Sequence, residues 1–192
     1  LTINPTNTVS RVRITGNWSG LYGTIKHTNK DIWLPLDNST GMPNGTLNIA
    51  SGCTVTNVCQ TFTIGKLTGD GNLAHPVANF RNKDAVSGSN TWRVGNDTLG
   101  DFTFNGKITD GGGSNKANFQ KIGACKMTVG GVWDNTGTVA VNGGTLFVKQ
   151  NAGLGKGALT VGKDGTLSGV GSLTNSAYTV NGTVRPGITN TS

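Results

Sequence analysis

Between Val139 and Gly187 the chain repeats one short phrase three times. Val139–Val148 reads VAVNGGTLFV, Leu159–Val170 reads LTVGKDGTLSGV, and Tyr178–Gly187 reads YTVNGTVRPG. Each is an apolar alternation, a turn built from Gly with Asn or Asp, and then Gly-Thr-Leu or Gly-Thr-Val. A period of about twenty, made of strand and turn signals with no helical spacing between them, is the pattern of a solenoid of β-coils. One such unit cannot bury its apolar face alone and stacks on a copy of itself. The chain is therefore expected to be all-β, a parallel β-solenoid of about nine or ten coils. At ~4.8 Å between stacked strands that makes a rod of ~45 Å. Leu146, Val148, Leu159, Val161, Leu167, Leu173, Val180 and Val184 are expected to point inward.

Composition agrees. Gly accounts for 31 of 192 residues, about twice the usual share of roughly 7%, and the nine acidic residues are all Asp. Strong helix formers are scarce, while Thr, Val, Asn and Gly suit strands joined by tight turns. The formal charge is +7, but nucleic-acid binding needs cations gathered along one face. Here the Lys and Arg residues are scattered, the nearest grouping being Lys116, Lys121 and Lys126. Edge lysines that discourage strand pairing account for the charge, and no nucleic-acid partner is expected. No apolar run approaches the ~20 residues of a membrane helix.

The whole chain, 1–192, reads as one domain. Its N-terminal part, 1–90, is less regular, and NFRNKDAVSGSN near 79–90 has the polar, non-alternating character of a protruding loop. Regular alternation occupies 91–192. In the first part, GTLNIASGCTV anticipates the later phrase, with Leu47, Ile49, Cys53 and Val55 expected to stand where Leu159, Val161, Gly165 and Leu167 stand. The chain begins at Leu1 without a leader pattern and is read as a processed product or a piece of something longer.

The second half resembles a known family. FNGKITDGG (Phe104–Gly112), FQKIGACKMTVGG (Phe119–Gly131), NTGTVAVNGGTLFV (Asn135–Val148), LGKGALTVGKDGTLSGVGSL (Leu154–Leu173) and VNGTVRPG (Val180–Gly187) follow in the order of the passenger-associated β-strand repeat of bacterial autotransporters and related surface proteins. Two positions depart from that pattern. Ala124-Cys125 replaces the second Gly of the Lys-x-Gly-x-Gly turn, which directs Cys125 into the coil, and Trp133-Asp134 replaces an aromatic–Thr–Gly turn. The first half is similar, through WSGLYGTI, TFTIGKLTGDGNL and TWRVG, to what precedes this repeat in secreted proteins of Bacteroidetes. The resemblance implies a right-handed β-helix, export to the cell surface or medium, and a scaffold or adhesive role. It supplies no catalytic site.

Chemistry-bearing residues are few. His27 and His75 are the only histidines and read as surface or capping residues, the second in a turn before Pro76. Asp70, Asp110 and Asp164 precede or enter glycine turns, which backbone preference alone explains. Lys149 and Lys163 approach Asp164 without a second carboxylate nearby, so no catalytic constellation, cofactor site or metal set is expected. Trp33 and Trp92 lie within apolar alternation and are expected in the core. Trp18 and Trp133 are flanked by polar residues and are the candidates for an exposed, sugar-stacking face. Cys53 and Cys59 flank TVTN, a turn-like stretch. They either form a local disulfide in an exported protein or remain buried and reduced. Asn-x-Ser/Thr triplets begin at Asn17, Asn38, Asn44, Asn96 and Asn181, among others, and Asp97-Thr98-Leu99 resembles the O-glycosylation acceptor of Bacteroidetes, with Thr98 the acceptor.

The function expected from these features is that of a non-catalytic stalk or adhesive scaffold in a larger bacterial surface or secreted protein. Its partners would be other domains of the same chain and a host or microbial glycan or protein. The alternatives are a carbohydrate-binding module and a non-catalytic part of a β-helical polysaccharide-degrading enzyme.

Overall fold

The computed structural model describes residues 1–3, 14–76, 88–112 and 114–187. All regular structure among them is β, and every pairing between named strands is parallel. The strands stack as coils of a β-solenoid of about eight turns. One sheet of fourteen strands supplies two faces, and a five-stranded sheet from Ile14–Thr15 to Lys107–Thr109 supplies a third.

Registered pairing turns the alternation of the sequence into continuous inward columns. Phe62 lies beneath Trp92, which is followed by Phe119, Val139, Leu159 and Tyr178. Two positions further along each strand, Ile64 is followed by Val94, Lys121, Val141, Val161 and Val180. On the next face Phe102, Met127, Leu146, Leu167 and Val184 form a third column. A side chain there touches the same column of the coils above and below, so one coil's burial depends on its neighbours.

The turn count is lower than the length predicts because the coils are unequal. Phe119, Val139 and Leu159 follow one another at the short period of the repeat, whereas the steps from Phe62 to Trp92 and from Trp92 to Phe119 are distinctly longer. Part of the first excess falls in 77–87, outside the described residues, as does most of the loop expected at 79–90. Ser89 and Asn90 belong to the strand Ser89–Val94.

The long strand Thr61–Gly69 rounds a corner between two faces. Gly69 has φ +98°, and a Cβ there would sit 2.1 Å from the Ile49 carbonyl oxygen. The amides of Asp70 and Gly71 then both donate to that same oxygen, at 2.9 and 3.0 Å. Gly169 repeats the device: φ is +119°, and the amides of Val170 and Gly171 both donate to Val148 O at 3.0 and 3.1 Å. Gly69 and Gly169 belong to one column, through Phe104, Val129 and Val148. Ile49 pairs with Gly69 and so joins the Gly169 column, not that of Val161. The expected match of Leu47 and Ile49 to Leu159 and Val161 is thus displaced by one face, because alternation followed by Gly-Thr reads alike on either.

Of the eight residues expected inward, Leu146, Val148, Leu159, Val161 and Leu167 are buried. Leu173, Val180 and Val184 are 39%, 53% and 41% exposed. Their register continues the inward columns, but they lie on the last described coil and no further described coil covers them.

Candidate functional site

Trp133 is buried, with its ring 4.6 Å from that of Phe119, so it is not an exposed sugar platform. Its polar neighbours have other roles. Asn135 is also fully buried, donating from Nδ2 to Ala117 O at 2.8 Å, while Asp134 pairs with Lys156 at the surface. The polar flanks mark a coil corner, not an exposed ring. Trp92 is buried in an edge contact with Phe62, as expected. Trp33 is half-buried on Trp33–Asp37. Trp18 is half-buried against the core and lines an open apolar groove with Leu1, Leu21 and Ile25.

Both histidines are fully buried, contrary to the surface reading. His27 shares a column with Ile49, and its Nε2 lies 3.2 Å from Ile32 O. His75 Nδ1 lies 2.9 Å from Pro76 O. TVTN is the strand Thr54–Asn57, not a turn. At ~3.3 Å per extended residue it holds the cysteines beyond the ~7 Å Cα limit of a disulfide. Cys53 and Cys59 are accordingly unbridged: Cys53 is in the core, and Cys59 Sγ lies 3.4 Å from Asp37 Oδ1. Burial, reinforced by Asp31, pushes the Cys53 thiol pKa up. Thr98 is exposed, and its hydroxyl donates to Asn96 Oδ1 at 2.7 Å.

The densest gathering of reactive groups is one that sequence reasoning missed. Lys121 occupies an inward column between Val94 and Val141 and is fully buried. Its ammonium donates to Ile122 O, Gly123 O and Gly143 O at 2.8, 2.9 and 3.1 Å, clamping the turns of two successive coils. A Cβ on Gly95 would stand 1.7 Å from Ile122 O and 3.3 Å from Nζ, so glycine leaves room for that carbonyl and for the amine beside it. Burial lowers the Lys121 pKa, and Cys125, Asp97 and Asp101 act in the opposite direction. Cys125 is buried there, as its place in the turn predicted. Alternation places Lys121 inward once the register is known, but a lysine in a strand otherwise reads as solvent-facing.

The carboxylates at this corner, Asp97 and Asp101, and Asp110 at another corner are already engaged. Asp97 Oδ1 accepts the Ala124 amide and Asp101 Oδ1 the Lys126 amide, both at 2.7 Å. Asp110 accepts the amides of Ala117 and Thr136 and the Thr136 hydroxyl. All three use carboxylates to hold backbone, most of it in the following coil. At the surface the Lys156 hydrogen bond lowers the Asp134 pKa and raises that of Lys156. Among the described residues no group of three or more His, Cys, Asp or Glu is arranged to hold a metal ion, and no helix is long and apolar enough to cross a membrane.

Chemically, this arrangement fixes coils to one another. Comparison with protein-family models, curated proteins and solved structures finds no match to this chain.

Proposed function

We propose that this chain is a non-catalytic rod, serving as a stalk or adhesive scaffold in a larger exported bacterial protein similar to those that carry passenger-associated β-strand repeats. The observation that carries this reading is where the reactive side chains go. His27, His75 and Lys121 are enclosed inside the coils, and Asp97, Asp101 and Asp110 are taken up by backbone amides. A rod that bears load gains from such links where they tie one coil to the next, as buried Lys121 does to Gly143 O and as Asp97 and Asp101 do to the amides of Ala124 and Lys126. The resemblance of the second half supports placement at the cell surface or in the medium. The partners on this reading are other domains of the same protein and a surface glycan or protein. The burial of Trp133 removes one of the two rings on which carbohydrate binding rested.

Pulling the protein from its two ends tests the mechanical role. Unfolding should proceed in steps near one coil, each releasing roughly 70 Å of contour for about twenty residues. Incubation with acidic polysaccharides is the counter-test: steady depolymerisation by the wild type, abolished in Asp164→Asn, would replace the scaffold with an enzyme.

A further inference from the structure

A polar recess of about 420 Å³ opens at one corner of the five-stranded sheet, lined by Ser51, Thr54, Asp70, Asn72 and Lys107 from three successive coils. That is the size of a small-ligand site, ~300–1,000 Å³. Thr54, Asn72 and Lys107 pair in register, and Val55, Leu73 and Ile108 beside them are fully buried, so alternation turns the first three outward. The space is there because Gly52 and Gly71 line it without side chains. The same glycine corner recurs in the regular half. A Cβ on Gly171 would meet Val148, Lys149 and Ala152, as one on Gly71 would meet Ile49, Ala50 and Cys53. There the outward register is Val132, Gly153 and Ser172, which offers neither amide nor cation. The polar lining therefore belongs to this corner and does not follow from coiling alone.

Much of the chemistry in the recess is unspent. Asp70 accepts from Asn105 Nδ2 through Oδ1 alone, at 2.9 Å, and Asn72 Nδ2 donates to Thr109 at 3.0 Å. Among the described residues no hydrogen bond or ion pair engages Lys107 or the hydroxyls of Ser51 and Thr54, whereas Lys66, Lys121 and Lys156 each hold a carbonyl or a carboxylate. Asp134, which feels the Lys107 charge, is itself held by Lys156. Resting on the adhesive-scaffold reading, we propose that this recess binds an acidic glycan lying along the rod axis. A carboxylate of the glycan pairs with Lys107, and its hydroxyls donate to Asp70 and exchange hydrogen bonds with Ser51, Thr54 and Asn72. A pyranose advances a glycan by about one strand spacing, ~4.8 Å, so successive sugars stand over successive coils. An extended acidic peptide advances only ~3.3 Å per residue and falls out of step. One ammonium beside one carboxylate suits a ligand with many hydroxyls and sparse negative charge. A phosphodiester chain would bring an anion against Asp70 at each step and few donors to satisfy it.

The probes are a glucuronate-containing tetrasaccharide and the same tetrasaccharide with its carboxylates reduced to alcohols, titrated against the whole protein and followed by amide chemical shifts. Both should bind and move the amides of Thr54, Asn72 and Lys107. The acid should bind about two- to fivefold more tightly at low salt, the range of a surface ion pair. Lys107→Gln should bring the acid down to the affinity of the alcohol. Ser51→Trp, which fills the recess from an exposed turn, should abolish both, with wild-type circular dichroism showing that the fold survives. Absence of binding by either saccharide up to millimolar concentration overturns the proposal, as does an acid no tighter than its alcohol. An equal loss in Lys149→Gln, at the matching corner of the regular half, also overturns it by reducing the effect to general charge attraction. So does a glutamate-rich peptide that binds as tightly as the acid and is lost in Ser51→Trp, which would make the partner a protein. None of these outcomes alters stepwise unfolding under force, so the scaffold reading stands or falls separately.

Discussion

The two halves of the rod differ in opposite senses in sequence and in structure. Coils from Lys116 onward recur at one short period and look alike, yet their last described member is the most exposed part of the described interior. Coils before Ala74 show no clean repeat, yet Leu34, Leu36, Met42, Leu47, Val55, Phe62 and Ile64 are all fully buried. Regularity of sequence and depth of burial are therefore separate properties. Repetition sets the register, but burial comes from having a neighbour on both sides, as nearest-neighbour energetics of stacked repeats requires. Irregular coils in the middle of a stack outrank perfect ones at its end.

That contrast gives the largest expected effect. Leu47→Ala, in the irregular half, should cost ~2–5 kcal/mol, the range for emptying a close-packed site. Val184→Ala, in the regular half, should cost less than ~1 kcal/mol, because a side chain already 41% exposed gives up little transfer energy and leaves no closed cavity. Denaturant midpoints of the two variants, compared at equal m-value, decide it. Equal costs would mean that the last coil is covered in solution and that the contrast between the halves is false.

The architecture was legible because strand alternation nested inside a longer, regular repeat has few physical solutions. Leu146, Val148, Leu159, Val161 and Leu167 were readable as core for that reason. What escaped was everything decided by the third dimension. The face to which Leu47 and Ile49 belong depends on where the chain turns a corner, which Gly-Thr does not specify. Trp133 and Asn135 sit inside a corner whose polar composition reads as surface. Lys121 is inward only because Ile64, Val94, Val141 and Val161 fix its column. Its chemistry is satisfied in part by the Gly143 carbonyl, which belongs to the next coil. The buried histidines escaped on the same ground: a polar residue type does not always mean a polar place.

Lys121 also sharpens the comparison, since its column is aliphatic in the irregular half and interrupted by an amine in the regular one. Lys121→Met keeps the stem and removes three donors, so ~1–3 kcal/mol should be lost for carbonyls left without that partner. Part of the effect depends on pH. Burial puts the folded-state pKa below the ordinary lysine value. Between the two values the unfolded chain holds more protons than the folded one, and stability rises with pH. Below both, this residue adds no pH dependence. Cys125→Ala serves as the common background, which removes the thiol that interacts with the amine. There the stability advantage of the lysine-containing protein over its Lys121→Met derivative should widen from neutral pH towards ~10.4, the unperturbed lysine value. Urea titrations at several pH values measure it, and an advantage that narrows as pH rises would show that the amine is held charged by its carbonyls and the neighbouring aspartates.

The smallest effect is one of rate, and it compares the cysteines of the two halves. Cys53 lies in the irregular half, 1% exposed and with its thiol pKa raised, whereas Cys125 is 8% exposed in the regular half beside the Lys121 ammonium. Cys59 is half-buried just past the end of its strand. Thiolate is the reactive form, so the raised pKa of Cys53 and its poorer access both favour Cys125. Labelling of the native protein with an aromatic disulfide should proceed in the order Cys59, Cys125, Cys53, with Cys53 reacting only as fast as the coils open. Because no bridge joins Cys53 to Cys59, unfolding without reductant should release all three thiols. Protein recovered from an oxidising compartment that yields one thiol instead would mean that the strand Thr54–Asn57 gives way to a disulfide. The irregular half would then be held by a covalent link that the regular half lacks.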